Sequence, residues 1–307
     1  MSIYISGSLA YDRIMNFPDT FTNHILPEKL HILNVCFLVN DLEERFGGTA
    51  GNIAYSLSLL GEEATILASA GNDFERYQKW LHKHGISQAG IRQVPDVPTA
   101  SAYITTDFAD NQITAFNPGA MNVPTNGTFS AFDAHKGLAI VSPGNLEDMQ
   151  NYPEMYRQSG LPFIFDPGQN IPAFSGAQLR SMIQGSAVLI ANDYELSLIM
   201  EATGLDKPGL LHLTETIITT LGEQGCQICD SSQEMHIPAI KVGQAVDPTG
   251  CGDAFRSGLI KGLRMGKDLP EASKIGATCA SFCVEHKGTQ EHSFSLEEFW
   301  DRYSTTY

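Results

Sequence analysis

The stretch Val246-Asp-Pro-Thr-Gly-Cys-Gly-Asp-Ala-Phe-Arg-Ser-Gly-Leu259 decides how this chain is read. Its glycines, at 250 and 252, permit backbone angles closed to other residues and let the main chain come close to a ligand. The apolar residues that follow repeat at helical spacing, so the spacing predicts a helix over 252–263, entered from a β-like segment. Successive N–H groups at Gly250, Cys251 and Gly252 then form an anion-binding nest at a helix N-terminus, where the helix dipole also favours negative charge. Asp253 falls in the first turn beside that nest. A carboxylate there repels a bound anion unless it serves a reaction, and as a general base it can take the proton of an attacking hydroxyl. The plainer alternative is a glycine-rich turn with an aspartate placed for capping.

Outward from this turn, short apolar segments at 3–6, 65–68, 138–142, 163–166, 188–191 and 217–220 read as strands buried on both faces. Helix-period segments at 50–60, 74–84, 146–159, 176–184 and 194–202 separate most of them. Such alternation predicts right-handed crossovers and an α/β fold with a mainly parallel sheet covered on both sides. Residues 13–45 show no clear helix, and residues 97–117 read as a hairpin turning near 107–111. Together they predict a small β-sheet that serves as a lid, with an ornamental insertion or a dimer edge as the alternatives. A further short β pattern is expected at 233–240. The whole chain, 1–307, reads as one α/β domain carrying that lid.

The net charge of −16 repels nucleic acid and anionic membranes, so neither is an expected partner. It also requires any phosphate site to be built locally, from backbone N–H groups, a helix end and a metal ion. The opening Met-Ser-Ile-Tyr-Ile-Ser-Gly lacks a basic targeting start, and no apolar run approaches about 20 residues, so a cytoplasmic location is expected. The six cysteines stand at 36, 226, 229, 251, 279 and 283. A zinc site from 226, 229, 279 and 283 is disfavoured, because residues three apart on a strand face opposite ways. They read instead as reduced structural thiols, with Cys279 and Cys283 on one buried helix face.

Asp-Pro-Thr-Gly-Cys-Gly-Asp-Ala-Phe resembles the second signature of the ribokinase-like (PfkB) carbohydrate and nucleoside kinases. Three further elements follow the family order. Phe46-Gly-Gly-Thr-Ala-Gly-Asn-Ile-Ala-Tyr-Ser-Leu-Ser-Leu-Leu-Gly61 is similar to the first signature. Ala191-Asn-Asp-Tyr-Glu195 is similar to the Asn-x-x-Glu element, and Thr220-Leu-Gly-Glu-Gln-Gly225 to the nucleotide loop. The resemblance implies a ribokinase-like Rossmann-type three-layer sandwich with a β-sheet lid. It implies transfer of the γ-phosphoryl group of ATP to a small-molecule hydroxyl, with Asp253 as base and Gly250, Cys251 and Gly252 as anion hole.

The same resemblance implies that Asn192 and Glu195 organise Mg²⁺ through its waters; read alone, they are a helix cap and a first-turn acid. Thr220, Gly222 and Gly225 would line the nucleotide site, with Gly276, Ala277 and Ala280 near adenine. Gly47 and Gly48 would let the backbone approach the acceptor, Asn52 would bond its hydroxyls, and Asp12 would grip a diol with two carboxylate oxygens. Asp247 and carbonyls near 285–289 are a candidate site for a monovalent cation such as K⁺. Pro248 and Cys251 depart from the usual Thr and Ala of the signature.

The start Gly7-Ser-Leu-Ala-Tyr-Asp-Arg-Ile-Met15 and the variant signature are similar to the microbial adenosine and nucleoside kinase branch. This implies purine salvage, with adenosine as acceptor and AMP as product, and base-slot walls at Phe37, Leu38, Phe116 and Met121. The alternative is that these four residues pack the lid on itself. A free sugar is the alternative acceptor, and a catalytically inactive nucleotide-binding regulator the alternative from another class. The protein is expected as a monomer or as a homodimer through the lid.

Overall fold

The computed structural model describes residues 2–32, 34–109, 111–125 and 137–307. Leu33 in the first lid segment and Asp110 in the hairpin turn therefore lie outside the described residues. Thirteen strands are described: β1 (Ser2–Ser6), β2 (Ala10–Asn16), β3 (Leu42–Gly47), β4 (Ala64–Ala70), β5 (Ile91–Gln93), β6 (Ala100–Thr106), β7 (Gln112–Asn117), β8 (Gly137–Val141), β9 (Phe163–Phe165), β10 (Ser186–Asn192), β11 (Thr214–Thr220), β12 (Cys226–Cys229) and β13 (Glu234–Ile237). The helices are α1 (Thr49–Leu59), α2 (Glu75–Lys83), α3 (Leu146–Ser159), α4 (Gly176–Ile183), α5 (Asp193–Thr203), α6 (Lys207–Leu210), α7 (Cys251–Arg264), α8 (Leu269–Cys283) and α9 (Leu296–Thr306).

Nine strands form the main sheet in the order β13-β12-β11-β10-β9-β8-β1-β4-β5. It is parallel except at one edge, where β12 pairs antiparallel with both β11 and β13. Strand side chains alternate between two cores, as the two-residue period requires. Ile3 and Ile5 pack with Ile53, Leu57 and Leu259 on one face. Tyr4 between them packs with Met149, Tyr152 and Leu179 on the other. The same alternation sends Val188 and Ile190 one way and Leu189 and Ala191 the other. This is the doubly covered sheet that the apolar runs predict.

The second sheet has four strands in the order β3-β2-β6-β7. Strand β2 pairs antiparallel with β3 and parallel with β6, so residues 10–16 and 100–106, far apart in sequence, run side by side. The hairpin turn between β6 and β7 is held by the Asp107 carboxylate, which accepts the N–H groups of Ala109 and Asn111 at 2.9 Å each.

Three features differ from the sequence reading. Residues 13–45 do hold helical turns, two short 3-10 helices at Phe21–Asn23 and Pro27–Ile32, too short to leave an apolar period. The segment before the glycine turn is not a strand. Residues 238–248 are irregular there, tied to α8 by the Val246 N–H donating to the Val284 carbonyl at 2.7 Å. Helix α9 is a third difference, lying beyond the helix-period segments although its Ser295-x-x-Glu298 capping box is a recognisable start signal.

Candidate active site

The carboxyl ends of β1, β8, β9, β10 and β11 open into one cleft of about 1430 Å³, which the small sheet flanks on one side. Ligands in open α/β sheets bind at that end of the strands. Its lining includes Asp12, Gly48, Asn52, Phe116, Met121, Asp166, Asn192, Glu195, Thr220, Gly222, Gly225, Gly250, Cys251, Gly252, Asp253, Ala277 and Ala280. Residues from eight separate stretches of sequence thus meet at one place.

Gly250 caps α7 with φ of 82°, the left-handed region that glycine adopts without strain. The N–H of Cys251 closes a turn onto the Pro248 carbonyl at 3.2 Å, so it is partly engaged. The N–H groups of Gly252 and Asp253 lie in the first helical turn, where helix geometry leaves donors without an intrahelical acceptor. The Asp253 carboxyl is pushed up to about 6, first by burial, then by the charges of Asp166 and Asp12; Arg256 and a hydrogen bond from Asn52 oppose this.

A side-chain relay sets the orientation of Asp253. Asn52 Nδ2 donates to Asp253 Oδ2 at 2.8 Å. Gln290 Nε2 donates to Asn52 Oδ1 at 3.0 Å, and Trp80 Nε1 donates to Gln290 Oε1 at 2.8 Å. One amide hydrogen of Asn52, expected to face an acceptor hydroxyl, is therefore committed to Asp253. Behind the glycine turn, Arg256 forms a bidentate pair with Asp166, Nε to Oδ2 at 2.5 Å and Nη2 to Oδ1 at 2.6 Å. Arg256 Nη1 also donates to the Gly252 carbonyl at 3.0 Å, which ties the first turn of α7 to the end of β9. Sequence reading missed Gln290, Asp166 and Arg256. Only the polar Arg256 on an apolar helix face and Asp166 at a strand end were available as signals.

On the small-sheet side, Asp12, Ala102 and Phe116 lie in register across β2, β6 and β7, and all three line the cleft. The Asp12 carboxyl is pushed up to about 6 by burial, against the pull of Arg45. The two glycines before α1 serve contacts within the protein. A Cβ on Gly47 would sit 2.4 Å from Asp12 Oδ2, and one on Gly48 would sit 2.6 Å from the Ser8 carbonyl oxygen. Gly48 also has φ of 86°. Their close approach is thus to Asp12 and to the chain after β1, which positions the Asp12 carboxylate. Of the four expected base-slot walls, Phe116 and Met121 line the cleft. Phe37 does not: it packs against Phe17 at 4.8 Å and Phe21 at 5.0 Å between ring centroids. Leu38 is 83% exposed.

On the opposite side, Asn192 and Glu195 form a capping box at the start of α5, with 2.7 Å from Glu195 N–H to Asn192 Oδ1 and 2.9 Å from Asn192 N–H to Glu195 Oε2. Burial raises the Glu195 carboxyl above its ordinary value, and the nearby Asp166 charge adds to this. The single Glu195 carboxylate, with one oxygen outside the cap, suits a cation that binds through its own waters, as Mg²⁺ does. Thr220 ends β11, and Gly222 and Gly225 take left-handed φ of 57° and 97° in the loop that follows. Ala277 and Ala280 face the cleft from α8, whereas Gly276 faces α7, where a Cβ would meet the Phe255 carbonyl oxygen at 2.8 Å. Lys241, Val242 and Ala245 of the irregular segment also line the cleft and were not anticipated.

Of the expected monovalent-cation donors, Asp247 and the Lys287 carbonyl already have partners within the protein. Asp247 accepts the N–H of Thr249 at 2.9 Å and of Gly288 at 3.0 Å, and the guanidinium of Arg45 takes the Lys287 carbonyl. Although burial raises the Asp247 carboxyl, these N–H bonds and the Arg45 charge outweigh it and hold it below the usual carboxylate range.

An α/β sheet covered on both faces, with a buried carboxylate at a donor-rich helix start and a nucleotide-sized cleft, has the architecture of a phosphotransferase acting on hydroxyl groups. The chain belongs to the pfkB family of carbohydrate kinases, whose model matches residues 12–295. It is similar to the nucleoside kinase of Burkholderia thailandensis solved with inosine, at 38% identity and a TM-score of 0.89, over 100% of this chain and 98% of that one. It is 30% identical over 289 residues to the nucleoside kinase of Methanothermobacter thermautotrophicus, spanning 92% of this chain and 89% of the relative. The Methanocaldococcus jannaschii nucleoside kinase structure matches at 27% identity and a TM-score of 0.88, covering 99% of both chains. ATP is the co-substrate that this family membership implies. No helix among the described residues is long and apolar enough to cross a membrane.

Proposed function

We propose that the protein transfers the γ-phosphoryl group of ATP to the 5′-hydroxyl of a purine nucleoside, with adenosine the first acceptor to test. The observation that carries this reading is the Asp253 carboxylate in the first turn of α7, held by Asn52 and pushed up to about 6. A base with that affinity is mostly ionised at neutral pH, yet accepts a proton more readily than an ordinary aspartate. In this reading Asp12 accepts the two ribose hydroxyls, and the row ending at Phe116 forms one wall for the base. The acceptor 5′-hydroxyl then lies between Asp253 and the helix start. Asp253 takes its proton as the oxygen attacks phosphorus, and the N–H groups of Gly250, Cys251 and Gly252 meet the charge on the transferring group.

Thr220, Gly222, Gly225, Ala277 and Ala280 make up the nucleotide wall. Glu195, oriented by Asn192, would hold Mg²⁺ through water, and the ion supplies charge neutralisation on the phosphates. The small sheet acts as the lid that excludes water, and its exposed outer strand β7 is the edge that a second copy would cover. The reaction would serve purine salvage in the cytoplasm.

Support for a nucleoside over a free sugar comes from the nucleoside kinases reported above and from the apolar Phe116 and Met121 beside the diol clamp. ADP release across adenosine, inosine, guanosine, cytidine, ribose and fructose tests it. Purine nucleosides should give the highest kcat/KM. Turnover of ribose or fructose without nucleoside turnover would overturn the assignment.

A further inference from the structure

Cys251, one of the two residues that depart from the family signature, is not isolated. Helices α7 and α8 run antiparallel and touch through backbone. A Cβ on Gly258 would meet the Ile275 carbonyl oxygen at 2.4 Å, and one on Gly262 would meet Ala272 Cα at 2.5 Å. Extending that register towards the start of α7 brings Cys251 opposite Cys283 at the end of α8. The contacts agree. Cys251 packs against the cluster that contains Cys279 and Cys283. Cys283 Sγ reaches the Thr249 carbonyl at 3.7 Å, and Cys251 Sγ reaches the Asp247 carbonyl at 3.8 Å, so both thiols touch the same four-residue turn. Cys251 lines the cleft, whereas Cys283 is fully buried behind it.

We propose that Cys251 and Cys283 form a reversible disulfide that switches the enzyme off, with Cys251 as the attacking thiol and Cys283 as the resolving one. The chemistry is exchange with a small disulfide. The Cys251 thiolate attacks one sulfur of glutathione disulfide, forming a mixed disulfide and releasing one glutathione thiolate. The Cys283 thiol, losing its proton, then attacks the Cys251 sulfur and releases the second glutathione. One disulfide is reduced and one protein disulfide is formed.

Electrostatics favour that order. The neighbouring Cys283 thiol holds Cys251 below the usual thiol range, while Cys251 and burial raise Cys283 far above it. A thiolate at a helix start beside the cleft is the arrangement that makes a cysteine reactive. Close helix crossing also brings Cβ atoms into the short range that a disulfide needs. The link would pull the first turn of α7 towards α8 and displace the N–H groups and Asp253 from their working positions.

The inhibitory half of this inference rests on the anion-hole reading above, while the linkage itself does not, and the experiment separates the two. The full-length protein is incubated with glutathione disulfide, with and without ADP, digested without reduction and mapped by mass spectrometry. A peptide linking Cys251 to Cys283 is expected, its formation slowed by ADP, together with at least about a tenfold loss of turnover restored by dithiothreitol. Cys283→Ala should stall at a glutathione adduct on Cys251, and Cys279→Ala should still form the link. Absence of the 251–283 link with no adduct on Cys251 in Cys283→Ala would overturn the site. Quantitative linkage with unchanged turnover would overturn the switch and, with it, the placing of the anion hole at this turn.

Discussion

Asp253 and Asp12 face one cleft, and both are pushed up to about 6 by burial, yet they stand on scaffolds of opposite character. Asp253 starts a helix wedged against α8 and braced by a buried ion pair and a three-residue relay. Asp12 stands near the root of a four-stranded sheet whose outermost strand, β7, is exposed at every residue. The main sheet has packed side chains on both faces and little freedom to reposition a group without breaking them. The small sheet has no such cover on β7 and can shift at lower cost. Similar electrostatics on unlike supports imply a division of labour. Changes around Asp253 should appear in kcat, and changes around Asp12 in the KM of the acceptor.

The strongest test of that division is Asp253→Asn. Loss of a positioned base lowers kcat by about 10²–10⁴-fold. ATP affinity should stay within about threefold, measured by calorimetry with a non-hydrolysable analogue. The variant should also melt no lower than wild type at pH 8, since it removes a buried charge that other carboxylates repel. A kcat within tenfold of wild type would remove Asp253 from the reaction and dissolve the comparison.

The acid limb of the pH profile sharpens the same point. Both carboxyls bind a proton more tightly in the folded chain than in the unfolded one. As pH falls from about 7 through 6, their protonation removes the base and weakens the diol clamp, so kcat/KM should drop with a midpoint near 6. The sign for stability is the reverse. Through these two groups folding gains as pH falls from about 6 towards 4. At pH 5.5 circular dichroism should therefore show a folded protein, while assays show activity largely lost and restored on return to neutral pH. Unfolding that tracks the loss of activity would contradict this account.

Within the core, Asp166→Asn breaks the pair with Arg256 and leaves a buried guanidinium without its counter-charge. Removing one partner of a buried pair costs about 3–5 kcal/mol. Urea denaturation should show that loss, and kcat should fall with it because Arg256 no longer holds the Gly252 carbonyl in place. A stable variant with normal kcat would show that the brace is dispensable.

What the sequence revealed and concealed follows from range. The glycine turn, the paired glycines before α1, the Asn192–Glu195 cap and the 220–225 loop are each encoded within a few residues, so local backbone chemistry exposes them. The two-core sheet was legible for the same reason, since apolar runs carry their own period. The relay from Gln290 to Asn52 joins residues 238 apart, and the Arg256–Asp166 pair joins residues 90 apart. Contacts of that span leave no local pattern, so Gln290, Asp166 and Arg256 stayed unread. The roles of Gly47 and Gly48 shifted for a related reason. A need for a bare Cα was evident, but whether ligand or protein fills the space depends on which chain folds against it. Phe37 was misplaced as a cleft wall because an aromatic residue in a loop segment packs equally well on its own neighbours, here Phe17 and Phe21.

The smallest effects belong to the small sheet, and they test the division from its other side. Gly47→Ala puts a methyl group where Asp12 Oδ2 now lies, and the carboxylate must rotate away because its end is the flexible partner. Acceptor KM should rise by about tenfold, the value of losing roughly one good hydrogen bond to a charged group, with the KM of ATP unchanged within twofold. Phe116→Ala should act more weakly still. Phe116 is already 51% exposed, so little burial is lost from the free protein, and the effect comes only from the wall presented to a bound base. A rise of about three- to fivefold in the KM of a nucleoside is expected, corresponding to burial of about 30–40 Å² of apolar surface at roughly 25 cal/mol per Å². Ribose, which has no base, should be indifferent to the change. A fall in kcat with KM unchanged in either variant would mean that the small sheet takes part in the chemical step, and the division between the two scaffolds would have to be abandoned.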